Sequence, residues 1–164
     1  MATTIQVAGP TTISVEVTGG SVAVLGYSDN DNLPSIQFQD TQHDVRTVLS
    51  GQIPEEIVLT GTMARISLAL VKWDEDVLNT ILLSQRGTSA ANNPVGRRLV
   101  SNNATFALTI EGDDGSTYVF GTCYLQPDGV GDSQWGNRER VLTLALNAIT
   151  TAGTNLYTYT AAAE

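Results

Sequence analysis

The run from Glu56 to Gly87 constrains this chain more than any other stretch, because its apolar period changes from two to 3.6 inside it. Its first half reads EIVLTGTMARISLALVK. From Ala64 onward, Ile66, Leu68 and Leu70 share one face, and Arg65, Ser67, Ala69 and Val71 the other. Before Gly61 the bulky residues Ile57 and Leu59 sit on the parity that later carries Arg65 and Ser67. Ordinary strands are about 5–6 residues long, and this one is far longer. The spacing therefore predicts a bend or bulge near Gly61 that passes the apolar stripe from one face to the other.

The second half, WDEDVLNTILLSQRG, reads as a helix over about 74–86. Asp74 is a good N-cap, Glu75 and Asp76 fill the first turn, and Val77, Leu78, Ile81 and Leu82 form one stripe. Trp73 can staple onto Leu78. Arg86 lies at the negative end of the helix dipole, and Gly87 can take the closing left-handed conformation.

At 164 residues and 41% hydrophobic, the chain suits one domain over residues 1–164. Eight basic residues face 17 acidic ones, a net charge of −9. That balance argues against gripping nucleic acid, which needs clustered cations. It is compatible with a surface that DNA passes without sticking, since carboxylates repel phosphate. Cys123 is the single cysteine, so no intramolecular disulfide forms and nothing points to secretion. The N-terminus lacks the basic start and apolar run of a signal peptide. No window approaches the ~20 apolar residues of a membrane span. The expectation is a soluble chain made in a reducing compartment.

Residues 1–10 are small and polar, and read as an N-terminal arm. TTISVEVT and SVAVLGY make a hairpin around Gly19-Gly20, and SDNDNLP is a loop. A short strand follows from Ser35 to Asp40. Residues 40–54 are apolar in places but not periodic, too irregular for a strand and too apolar for a solvated linker. TSAANNPVGRRLVSNN is a long loop with the adjacent pair Arg97 and Arg98, which suits an inter-subunit salt bridge. ATFALTIE and TYVFGTCYLQ form the clearest hairpin, turning at GDDGS. PDGVGDSQWGN is a second loop, ERVLTLALNAIT a strand, and residues 151–164 a tail with a short strand around Leu156 to Tyr159. The sum is a mainly β chain: an antiparallel β-sandwich or barrel with one flanking α-helix.

Catalytic chemistry finds little purchase. With His43 the single histidine, neither a triad nor a multi-histidine metal site can be built. Cys123 falls on the strand parity of Val119 and Leu125 and reads as a small buried hydrophobe. GVGDSQW lacks the lysine and third glycine of a phosphate loop. Asp29, Asp31 and their asparagines lack the turn glycine and closing glutamate of a calcium loop. Asp113, Asp114, Asp128 and Asp132 read as turn residues. No enzyme activity, metal or cofactor is expected.

In order and spacing, these elements resemble the bacteriophage tail tube (major tail protein) family, which includes the inner tubes of type VI secretion and contractile bacteriocins. The likeness lies in the paired strands TTISVEVT and SVAVLGY, the irregular stretch after Phe38, and ARISLALVKWDEDVL entering its helix at Trp-Asp. The hairpin ATFALTIEGDDGSTYVFGTCYL and the closing ERVLTLALNAIT with TNLYTYT complete it. The resemblance implies a structural virion protein whose homohexameric rings stack into a hollow tube that conducts DNA without specific binding. It implies a helix on the outer side and an arm contacting the adjacent ring. That arm would be 40–54, with Gln42, His43, Val45, Arg46, Val48 and Leu49 as contact candidates. Arg97 and Arg98 would be subunit contacts. Implied partners are further copies, a sheath or tail terminator, and a baseplate or tip; the tail would be assembled in the bacterial host cytoplasm.

Two other classes compete. One is another virion part, either a capsid decoration protein or a neck or tail-completion ring protein. The other is a carbohydrate-binding β-sandwich using Trp135, Tyr118 and Tyr124. Because Tyr118 and Tyr124 share the parity of Phe120, burial is the plainer expectation for them.

Overall fold

The computed structural model describes residues 4–6, 9–47, 53–87, 98–100, 103–130, 141–150 and 154–162, with backbone alone at 4–6 and 127–128. Its strands are β1 (Thr4–Gln6), β2 (Thr11–Val17), β3 (Ala23–Tyr27), β4 (Ser35–Val45), β5 (Glu56–Leu70) and β6 (Lys72–Trp73). Helix α1 (Glu75–Arg86) follows, then β7 (Phe106–Gly112), β8 (Thr117–Val130), β9 (Leu142–Ile149) and β10 (Thr158–Thr160). The mainly β, antiparallel architecture with one flanking helix is as the sequence predicts.

All ten strands belong to one sheet in the order β1-β4-β5-β9-β8-β7-β2-β3-β6, with β10 joining β8 off that path. The ladder is open, ending at β1 and β6, so the sheet is not a closed barrel. Yet β6 continues β5 beyond Val71, and Val71 N–H donates to Tyr27 O at 3.0 Å. The far end of the ladder thus returns to the polypeptide run at its centre.

One core draws on most of the strands and on the helix. Ile13 and Val15 of β2, Ile36 of β4, Ile66, Leu68 and Leu70 of β5, and Leu108 and Ile110 of β7 belong to it. Phe120, Cys123 and Leu125 of β8, Leu142, Leu144 and Leu146 of β9, and Leu78 and Ile81 of α1 complete the same cluster. Period-two alternation explains most of this: β9 buries every second residue from Leu142 to Ala148. Where β2 meets the loop after β3, Thr11 and Ser28 are buried but satisfied. Their hydroxyls lie 2.6 Å apart, Thr11 N–H donates to Ser28 Oγ at 3.1 Å, and Ser28 N–H returns to Thr11 O at 3.0 Å.

The helix forms as its signals predict. The Asp74 carboxylate accepts from the Asp76 and Val77 N–H groups at 2.9 and 3.2 Å. Gly87 closes the helix at φ 94°, donating to Leu83 O at 2.8 Å. Leu78 and Ile81 are buried, with Val77 and Leu82 packed against the core beside them.

Four sequence expectations change, and bulges or extra strand length account for each. Residues 40–45 are not irregular: β4 runs unbroken to Val45, pairing with β5 down to Glu56. The bulge near Gly61 exists, since Thr41 opposes Gly61 while Gln42 opposes Leu59, which leaves Thr60 extra. It works in the opposite sense, however. Leu59 and Ile57 oppose Gln42 and Asp44, which share β4's parity with Ile36 and Phe38. The bulge therefore keeps the apolar stripe on the core-side face while the sequence parity flips.

In β8 the two steps from Phe106 to Leu108 oppose the three from Cys123 back to Phe120. That extra residue puts Phe120 and Cys123 on one face, and moves Tyr124 to the other. Finally, Pro127–Val130 belong to β8 rather than to a loop. The strand bulges widely there, since Leu125 opposes Leu146 and Val130 opposes Leu144.

Candidate assembly surface

The most exposed apolar residues gather on the outer half of the β4–β5 hairpin. β9 pairs with β5 only over Met63–Leu70, and β1 with β4 only over Ser35–Gln37. Beyond those limits, among the described residues, the hairpin stands as a two-stranded ribbon with both outer edges unpaired. Its length past Met63 is on the order of 20 Å at strand rise. An isolated two-stranded hairpin is marginal in water. This one is nonetheless well closed near its tip. Glu55 N–H donates to Val45 O at 2.9 Å, Thr47 Oγ1 donates to Glu55, and Thr60 Oγ1 donates to Thr41 O at 3.0 Å.

On this ribbon Leu59 is 71% exposed, Ile57 57% and Ile53 74%; Val58 and Val45 are exposed as well. Burying a side chain of that size is worth about 1.5–3 kcal/mol, so leaving several in water is costly unless a partner covers them. Leu59 and Ile57 share one face of the ribbon with Asp40, Gln42 and Asp44. Arg46 Nη2 lies 3.3 Å from Asp44 Oδ2, and Asp40 accepts from Thr62 Oγ1 at 2.8 Å. At half-exposed side chains like those of Asp44 and Arg46, such a pair contributes little stability.

Of the residues expected to form an inter-ring arm, Gln42, His43, Val45 and Arg46 lie on this hairpin. Gln42, His43 and Val45 belong to β4 itself, and Arg46 follows its last residue. His43 is exposed opposite Val58. Val48, Leu49 and Arg97 lie outside the described residues; Arg98 is exposed. The sequence reading missed the other side of the hairpin. Ile57, Val58 and Leu59 carry more exposed apolar surface than the β4 residues, and the signal was present in their mixed parity before Gly61.

A second apolar exposure lies on the outer face of β3. Ser14 opposes Val24 and Ile13 opposes Gly26, so Leu25 is the extra residue of a bulge. That bulge turns Leu25 into the core and leaves Val24 and Tyr27 on one outer face, 41% and 42% exposed. Val22 beside them is 64% exposed. The bulged strand, β6 and the start of α1 enclose an open cleft of about 450 Å³ lined by Val24, Tyr27, Lys72 and Trp73 among others.

Tyr118 and Tyr124, which the competing carbohydrate-binding reading would enlist, do not converge. Tyr118 stacks on Tyr159 and Tyr157, with ring centroids 4.8 and 6.1 Å away, and Tyr157 covers Phe38 at 5.2 Å. Burial and the neighbouring Tyr159 push the Tyr118 hydroxyl above its ordinary pKa. Tyr124 is on the opposite side of β8, where its hydroxyl accepts from Asn147 Nδ2 at 3.1 Å. Trp135 and Asp132 lie outside the described residues.

Among the described residues no three His, Cys, Asp or Glu side chains gather as a metal site would require. Asp29 accepts from Asp31 N–H and Asn32 Nδ2 at 3.1 and 2.8 Å, and Asp114 from Ser116 N–H and Oγ at 2.9 and 2.6 Å. These are turn-stabilising carboxylates.

No family model and no curated protein matches this chain. Among solved structures, a chain described as "Virion of native gene transfer agent (GTA) particle" aligns with 91% of this chain and 95% of its own length. Its identity is 15% and its TM-score 0.44, an overlap too loose to transfer a function.

Proposed function

We propose that this chain is a structural subunit of a phage-type tail tube, building homohexameric rings that stack into a hollow conduit for DNA. The observation that carries this reading is the ribbon of β4 and β5, whose exposed Ile57 and Leu59 have no covering layer among the described residues. Heterologous contacts close into rings where their rotation closes and grow into open stacks where it does not, and a tube uses both. Unpaired strand edges on the same ribbon would be satisfied by a neighbouring copy, which also suppresses unregulated aggregation. The chain's net charge of −9 suits a wall that DNA slides past without sticking. Further tail components (a sheath or terminator at one end, a baseplate or tip at the other) would start and limit the tube inside the host cytoplasm.

Negative-stain microscopy of the purified chain tests this directly. Six-fold rings with a central pore, or filaments of stacked rings, are expected. Leu59→Asp should leave a folded subunit that no longer elongates, and deletion of residues 41–52 should do the same. A compact monomer at high concentration, even when seeded with tail components, would overturn the reading. Trimers or monomers that coat a capsid shell would favour a decoration protein instead.

A further inference from the structure

The C-terminal stretch bridges two strands that are not neighbours in the sheet. In the ladder, β5 and β9 lie between β4 and β8. Tyr157 nevertheless reaches both, its ring centroid 5.2 Å from that of Phe38 on β4 and 5.9 Å from that of Phe120 on β8. Aromatic rings attract at separations of that size. Leu156 beside it is buried in the same core. β10 then lies against Thr117–Val119 of β8, short of Cys123, where the pairing of β8 with β9 begins. There Tyr159 stacks on Tyr118, with centroids 4.8 Å apart.

Phe38 packs against the core and opposes Ala64, immediately before the Gln39–Met63 pair at which β9 stops supporting β5. Tyr157 therefore bears on the root of the ribbon. Its own segment is held lightly. All three residues of β10 are exposed, and beyond Ala148 Leu156 is the single buried residue among those described. Segments with so few buried contacts open locally far more often than the whole domain unfolds.

We propose that residues 156–160 are a clasp on the ribbon. Shut, the clasp pins Phe38 through Tyr157 and fixes the direction in which the β4–β5 ribbon leaves the body. Open, it releases Phe38, and the ribbon moves about the Gln39–Met63 pair. The consequence for assembly rests on the tube reading above. The shut clasp is the competent state, because a ribbon already oriented gives up less freedom when it docks. The C-terminal segment thus controls how readily rings stack.

Amide hydrogen exchange of the full chain, at a concentration too low for assembly, tests the clasp. Tyr157→Ala should raise exchange several-fold in ribbon residues 38–45 and 56–62, while β7 and α1 keep wild-type rates. Tyr157→Phe keeps the ring and should match wild type throughout. Unchanged ribbon exchange in Tyr157→Ala would overturn the clasp, and so would an increase spread evenly over the sheet. Should Tyr157→Ala not fold, Tyr159→Ala decides in its place, since it removes the stack of β10 on Tyr118. Faster exchange confined to the ribbon supports the clasp, and wild-type ribbon exchange overturns it.

Light scattering at assembling concentrations separates the two readings. Tyr157→Ala should elongate several-fold more slowly than wild type, and an unchanged rate would overturn the clasp's part in stacking. A wild-type chain that forms no rings would bring down the tube reading and the stacking step with it, leaving hydrogen exchange to decide the clasp.

Discussion

The side chain of Gln85 grips the backbone of Leu125 with both ends of its carboxamide. Gln85 Nε2 donates to Leu125 O at 2.7 Å, and Leu125 N–H donates to Gln85 Oε1 at 2.8 Å. The pairing of β7 with β8 ends at Cys123, so at Leu125 the edge of β8 away from β9 has no strand beside it among the described residues. The amide therefore takes the place of a strand residue, fastening the last turn of α1 to the sheet.

Gln85→Ala leaves a half-buried N–H and C=O without partners, at an expected cost of about 1–3 kcal/mol. For a chain of this size that corresponds to a fall in Tm of about 2–4 °C per kcal/mol. Urea and thermal unfolding measure it. An unchanged midpoint would show that water replaces the amide without loss.

Two glycines in strands should respond in opposite directions. A Cβ on Gly26 would lie 2.4 Å from Lys72 O and 3.0 Å from Trp73 Cα, so Gly26→Ala must push β6 away from β3. Forcing such a clash costs roughly 1–3 kcal/mol or more. At Gly61 the added Cβ meets nothing within 4 Å, and φ is not positive. Gly61→Ala should therefore be neutral or stabilise by about 0.4–1 kcal/mol through the unfolded chain's lost entropy. Denaturant midpoints of the two variants check both signs.

Burial pushes the Cys123 thiol from its ordinary 9.0 up to about 12, against a smaller opposing hydrogen bond at Leu108. A folded-state value above the unfolded one means the stability contribution is whole below pH 9.0 and is lost as pH rises towards about 12. Alkylation by iodoacetamide at neutral pH should be negligible until the chain unfolds, and its rate should then track global unfolding. Rapid labelling of the native chain would contradict burial at the β8 bulge.

Asp114 shifts the other way. The hydroxyl and then the N–H of Ser116 stabilise its carboxylate and lower its pKa below the ordinary 3.8. Its contribution is present above pH 3.8 and disappears as pH falls through the lowered value. Asp114→Asn should be less stable than wild type above that pH, with the difference shrinking on acidification. A constant difference across the acid range, in paired urea titrations, would contradict the sign.

The sequence was most legible where one local signal had one meaning. The Asp74 cap, the Leu78 and Ile81 stripe and the Gly87 stop fixed α1 within a residue of its observed span, because capping is decided by groups a few positions apart. The alternation of Leu142, Leu144 and Leu146 was equally plain. Parity failed wherever a bulge intervened. At Thr60 and in Gly121–Thr122 an extra residue resets the alternation, so Tyr124 was placed on the wrong face and the Ile57–Leu59 stripe was read as crossing over. The ribbon was illegible for a different reason: from Asp40 to Val45 most positions are in solvent on both faces, so no alternation of apolar and polar residues is imposed there.

What the residues alone determined is the alphabet of this protein: many alternating strands, one capped helix and a surplus of carboxylates. Those properties follow from interactions over a few neighbouring positions. Only the tertiary structure decided how far β4 and β5 extend past the body, which faces the bulges expose, and that the ribbon and the β3 face lie at opposite ends of one run. Those outcomes depend on which strands run out of partners, a matter of register between segments distant in the chain.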